Sequence, residues 1–138
     1  MPAVEFIVAG PVVSGQTKNP GRRQDFIKRA EGAARAAMAG RPMLEDAIRA
    51  KIVIVTAAPG VIDDDNVEKL LRDCMQGVVY ANDRTVISTS RDIRSLDDSF
   101  KLKGTPVFFR QALFDAISNL APFIYVYVTN EFDSGVIW

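Results

Sequence analysis

The sequence predicts an α/β fold of the α+β kind, a single domain over residues 1–138 with helices packed on a β-sheet. Two observations predict it. The chain has 138 residues, 48% apolar and 25% charged, enough for one sizeable core and the usual globular mixture. Along it, β-rich runs alternate with runs whose apolar residues recur at helical spacing. The order is strand, helix, strand, helix, strand, helix, strand, with no repeat and no linker.

The first strand is "VEFIVAG" (Val4–Gly10), closed by Gly10-Pro11. "PVVSGQTKNPGRR" is rich in turn formers and reads as a basic loop. Asp25–Ala39 reads as a helix, with Phe26, Ile27, Ala30, Ala33, Ala34, Ala37 and Met38 on one face, and Gly40 before Arg41-Pro42 as its stop. A second strand occupies Ala47–Ala57. Val67, Leu70, Leu71, Cys74, Met75 and Val78 then form one apolar stripe of a helix starting at Val67, with Gly77 as its end. "VVYANDRTVISTS" predicts extended chain, a turn at Asn82-Asp83 and a strand from Thr85; "RDIRSLDDSFKLKG" predicts a loop. "TPVFFRQALFDAISNLAP" predicts a third helix, capped by Thr105, with Pro106 in its first position. Val107, Phe108, Ala112, Leu113 and Ile117 are its expected core face. "FIYVYVTNEF" is a last strand of strong β-propensity.

Composition excludes several chemistries. There is no histidine, which removes a Ser-His-Asp triad and a histidine base. One cysteine, Cys74, cannot form an internal disulfide, and with no histidine neither zinc ligation nor a thiol nucleophile has its usual partners. Chemistry here falls to carboxylates, lysines and hard cations, which means Mg²⁺, Mn²⁺ or Ca²⁺. No apolar run is long enough to span a bilayer and no signal-peptide layout opens the chain, so the expected location is the cytoplasm.

Net charge is zero, but its distribution is uneven. Between Ser14 and Arg41 stand Lys18, Arg22, Arg23, Lys28, Arg29, Arg35 and Arg41 against Asp25 and Glu31. Between Asp63 and Asp83 the excess is acidic. A phosphate binder with a metal site needs both; two solvated faces would give the same counts.

The acidic centre is "VIDDDNVEKLLRDCMQGVVYANDRT" (residues 61–85). In extended chain Asp63 and Asp65 point to one side and Asp64 to the other. Asp65 or Asn66 can cap the helix that follows, which accounts for one carboxylate and leaves the crowding unexplained. A divalent cation relieves the repulsion. Lys69 lies one turn beyond Asp65, and Asn66, Lys69, Asp73 and Gln76 share the polar side. A reversing connection can return Asp83 to Asp63 and Asp65. Three carboxylates, a cation and a lysine are equipment for phosphodiester hydrolysis. On spacing alone, a capped acidic helix start and a catalytic metal site stand side by side.

These residues resemble the signature of RusA-type Holliday junction resolvases: Asp-x-Asp-Asn, a lysine at a short helical interval, an aspartate one turn later, and an aspartate in a turn after the helix. The matching positions are Asp63, Asp65 and Asn66, then Lys69, Asp73, and Asp83 within "ANDRTV". The resemblance covers roughly residues 4 to 90 and the closing strand more loosely. It implies a RusA-like mixed sheet and a homodimer that binds branched DNA. It also implies Mg²⁺-dependent cleavage of four-way junctions in recombination and repair. Asp63, Asp65 and Asp83 would be catalytic metal ligands and Lys69 the catalytic lysine, with Asn66 and Asp73 behind them and Mn²⁺ as a possible substitute cation. Lys18, Arg22, Arg23 and Lys28 would hold DNA phosphates. The chain departs from the pattern where the relatives carry arginines before Asp-x-Asp: here the stretch is "APGVI". The competing expectation is a DNA- or protein-binding dimer of the same fold, weak or inactive in catalysis.

Overall fold

The structure is a computed structural model, and it describes residues 3–11, 20–57, 64–96, 106–119 and 121–130. Its elements are β1 (Ala3–Ala9), α1 (Pro20–Met38), β2 (Ile48–Thr56), α2 (Asp64–Met75), β3 (Val86–Ser95), α3 (Val107–Asn119) and β4 (Phe123–Thr129). The four strands form one mixed sheet in the order β1-β4-β2-β3. β4 is antiparallel to both β1 and β2, and β3 is parallel to β2.

The sheet order follows from composition. β4, "FIYVYVT", and the second half of β2, "IVIVT", are apolar on both sides and lie in the middle, where both faces are covered. β1 alternates buried and half-buried residues at one edge. β3 is the other edge, and its polar "VISTSRDIRS" is half exposed and half partly buried, with no fully buried residue. The expected loop after Ser90 is therefore strand as far as Ser95: beyond that point only Ile93 packs on the core, too little apolar pattern to announce a strand.

The helices divide between the two faces. α1 and α2 cover one, packing Phe26, Ala30, Ala34, Val67, Leu71 and Met75 on Val4, Phe6, Ile52, Ile54 and Val126. α3 covers part of the other, with Phe109, Leu113 and Ala116 on Val53, Val55, Phe123 and Tyr125. Phe109 meets the Tyr125 ring edge-on at 5.2 Å between centroids. β1 and β2 both run antiparallel to β4, so they run parallel to each other. α1 follows β1 and α2 follows β2. The chain therefore enters both helices from one end of the sheet, the carboxyl end of these strands.

Three further expectations need correction. α1 begins at Pro20, not Asp25, so Arg22 and Arg23 lie on the helix instead of a loop. Proline's fixed φ and missing N–H suit a first helical position, and that outweighs the turn-like composition around it. α2 begins at Asp64, so Asp65 and Asn66 lie in its first turn and do not cap it. The alternation that put Asp63 and Asp65 on one side of an extended chain does not hold there. On α3 the buried residues are Phe109, Leu113 and Ala116, while Val107, Phe108 and Ile117 are exposed. Thr105, its expected cap, lies outside the described residues.

Candidate functional site

α2 carries the candidate site on its polar face. Asp65, Lys69 and Arg72 stand at i, i+4 and i+7, which puts their backbone positions on one stripe of the helix, and Gln76, just past its end, continues the spacing at i+11. Val67, Leu70, Leu71, Cys74 and Met75 fill the opposite side and are buried. Lys69 and Asp73 are exposed and Asn66 is half-buried.

The return of Asp83 to this stripe is built from four local devices. Gly77, at φ +83, ends α2 in the left-handed region where a side chain would be strained. Its N–H donates to the Tyr80 carbonyl at 2.7 Å. The buried Tyr80 hydroxyl reaches back to donate to the Arg72 carbonyl at 3.1 Å. Burial pushes this phenol up to about 12, with Asp83 adding to the rise and Arg72 opposing it. Asn82 then caps a short 3-10 turn, Asp83–Thr85: its side chain accepts the Arg84 N–H at 3.0 Å and its carbonyl accepts the Thr85 hydroxyl at 2.7 Å. The turn expected at Asn82-Asp83 is present in this form.

α2 anchors Asp83 by its backbone. Gln76 Oε1 accepts the Asp83 N–H at 3.1 Å, and Arg72 Nη2 donates to the Asp83 carbonyl at 3.1 Å. The Asp83 carboxylate is less engaged. It lies 3.9 Å from Arg72 Nη2, too far for a hydrogen bond, and its side chain is 42% exposed. The same guanidinium stands 3.9 Å from Glu68 Oε2, and Glu68 pairs with Arg91 of β3 at 3.5 Å. Asp83 is thus one end of a charged chain, Asp83–Arg72–Glu68–Arg91, along the seam between α2 and β3. The Glu68–Arg72 spacing of i,i+4 was the available sequence signal for it.

Of the predicted ligands, Asp83 sits against the last turns of α2, beside Arg72 and Gln76. Asp65 lies in the first turn, seven residues before Arg72, or ~10 Å along the axis. Lys69 stands between them. Asp63 and the Asp65 side chain lie outside the described residues, so the ligand set as a whole does too. Among the described residues no three carboxylates or thiols are grouped to hold a metal ion.

The expected phosphate-binding cations are not gathered on one patch. Lys18 lies outside the described residues. Arg22, Arg23 and Lys28 are exposed, but the helical interval of six from Arg22 to Lys28 turns them well apart. Arg29 and Arg41 are committed to structure. Arg29 bonds the Ala9 carbonyl, the Pro11 carbonyl at 2.9 Å and Asp25 at 2.9 Å, and lies over the Phe26 ring. It clips the end of β1 to α1, and Gly10, at φ +95, leaves room for it. Arg41 donates to the Ala3 carbonyl at 2.9 Å. Cys74 is buried and its thiol is pushed up to about 11 by that burial, which agrees with a core role.

A cavity of about 400 Å³ opens between α3 and the β1–β4 edge, lined by Ile7, Phe108, Ala112, Asp115 and Phe123 among others. It lies across the sheet from α2 and holds none of the predicted site residues. No described helix is long and apolar enough to cross a membrane.

Comparison with known proteins adds one positive finding. A family model described as "Endodeoxyribonuclease RusA" matches residues 11–98, well over half of the 138-residue chain. That span begins just after β1, runs through α1, β2, α2 and β3, and includes Asp63, Asp65, Lys69 and Asp83. No curated protein matches the chain.

Proposed function

Because the chain belongs to the RusA family of endodeoxyribonucleases, we propose that it is a metal-dependent nuclease that resolves four-way DNA junctions. The observation that supports it is the folded-back turn that sets Asp83 against the polar side of α2, the side that also carries the exposed Lys69. Asp63, Asp65 and Asp83 would hold the cation. Their all-carboxylate oxygen set suits Mg²⁺, with Mn²⁺ as a substitute. The anchored backbone and loosely paired carboxylate of Asp83 fit a ligand whose oxygens must remain available. Bound there, the cation supplies a water of lowered pKa and neutralises charge developing on the phosphate.

Lys69 is exposed between the two ends of the stripe, where an ammonium stabilises that same charge. Asn66 and Asp73 lie beside it in support. Lys18, Arg22, Arg23 and Lys28 would hold the DNA backbone, the last three from different sides of α1. Two copies acting together would present two sites to two strands of one junction. The proposed setting is recombination and repair in the cytoplasm.

The test uses a labelled four-way junction beside linear duplex and flap, with and without Mg²⁺. Wild type should cut the junction at symmetric points only with Mg²⁺ or Mn²⁺. Asp65→Asn should reduce cutting to background while junction binding persists. Junctions left intact by the wild type across pH, salt and both metals would leave a binding protein of the same fold.

A further inference from the structure

The geometry points to Gln76 and Arg72 as positioning residues for the Asp83 carboxylate. This inference rests on the reading of Asp83 as a metal ligand and deepens it. Asp83 stands in a short turn after the helix, and such a turn by itself leaves a carboxylate free to swing. Here both backbone groups of the residue are gripped, from α2 and from the residue that follows it: Gln76 Oε1 takes its N–H and Arg72 Nη2 gives to its carbonyl, each at 3.1 Å. Asn82 and Thr85 tighten the turn on either side. Arg72 is itself fixed, half-buried, between Glu68 and Asp83, and the Tyr80 hydroxyl holds its carbonyl.

The grip is on the backbone, so it aims the carboxylate without consuming its oxygens. Partners one shell behind a ligand set its direction, and losing one costs roughly ten- to a hundredfold in metal affinity. Neither residue touches the cation or the DNA phosphate in this scheme; each acts through Asp83.

The test reads metal binding apart from cleavage. Mn²⁺ is titrated into DNA-free protein, and the midpoint of the rise in melting temperature is recorded. Gln76→Leu removes the acceptor at similar volume, and Gln76→Glu restores one. Arg72→Lys keeps the charge but not the fork that spans Glu68 and Asp83. The expected result is a midpoint raised roughly ten- to a hundredfold in Gln76→Leu and Arg72→Lys, and close to wild type in Gln76→Glu. A purely structural role would lower the metal-free melting temperature and leave the Mn²⁺ midpoint in place, which overturns the inference. Should Gln76→Leu fail to fold, Arg72→Lys carries the same comparison. Asp83→Asn separates the two levels of the argument. If it abolishes the Mn²⁺ response while Gln76→Leu and Arg72→Lys leave it intact, only the positioning role falls. If Asp83→Asn responds like wild type, the ligand reading falls and takes the positioning role with it.

Discussion

α2 and α3 both lie on the sheet, one on each face, and they use their apolar residues in opposite ways. α2 is apolar on one side and charged on the other. Its stripe from Val67 to Met75 is buried as the periodicity predicts, and its polar side is left for chemistry. α3 carries large apolar residues on more than one side, with Arg110, Gln111, Asp115, Ser118 and Asn119 between them. It buries Phe109, Leu113 and Ala116, and leaves Val107 58%, Phe114 57% and Phe108 43% exposed. The difference teaches that a helix declares its buried side through its polar residues as much as its apolar ones. Where Phe and Val surround the axis, the phase is set by the sheet beneath, here by Phe123 and Tyr125.

The largest effects that sharpen this comparison are in the two cores. Leu71 of α2 and Leu113 of α3 are both almost fully buried. Leu71→Ala and Leu113→Ala should each cost about 2–5 kcal/mol in urea unfolding, since each loses transfer free energy and leaves a cavity. A Leu113→Ala cost below about 1 kcal/mol would mean that α3 is not packed on the sheet as described, and would break the contrast.

The same comparison explains how much could be read in advance. Four strands and three helices were legible, because β-rich runs alternate with longer runs of helical spacing and composition. The spacing from Asp65 to Lys69 was legible too, since a helix fixes it. The way Asp83 returns was not: it depends on the Tyr80 hydroxyl finding the Arg72 carbonyl, and on Gln76 and Arg72 meeting the Asp83 backbone. These are tertiary hydrogen bonds with no periodic trace. The polar length of β3 was hidden because its ladder to β2 is a backbone matter and only Val86 and Ile93 pack on the core. The early start of α1 was masked by Pro20-Gly21, residues that also form turns.

A smaller effect concerns alkaline pH on the α2 side. The Cys74 thiol is pushed up from 9.0 to about 11 and the Tyr80 phenol from 10.0 to about 12, both chiefly by burial. In each case the neutral form is favoured by the fold, so the unfolded chain gives up its proton first. Stability from these groups is whole below pH 9 and is lost as pH rises from 9 towards 12. The melting temperature should fall through that window. Cys74→Ala with Tyr80→Phe should flatten the fall while costing stability at pH 7, since Tyr80→Phe removes the hydrogen bond to Arg72. An equally steep alkaline limb in the double variant would place its source elsewhere.

The smallest effect tests the outer side of α3. Phe114 is more than half exposed and lies away from Phe109 and Leu113 on the helix. Its truncation opens no cavity in the described core, so Phe114→Ser should change the unfolding free energy by no more than about 0.5 kcal/mol. The equivalent truncation on the inner side, Phe109→Ser, takes away the ring that meets both Phe123 and Tyr125 and belongs with the core losses. The ratio of the two costs measures the phase of α3 directly. Nearly equal costs would mean that its outer side is also buried in solution, whereas a ratio of several-fold puts Phe109 on the sheet side of the helix and Phe114 away from it.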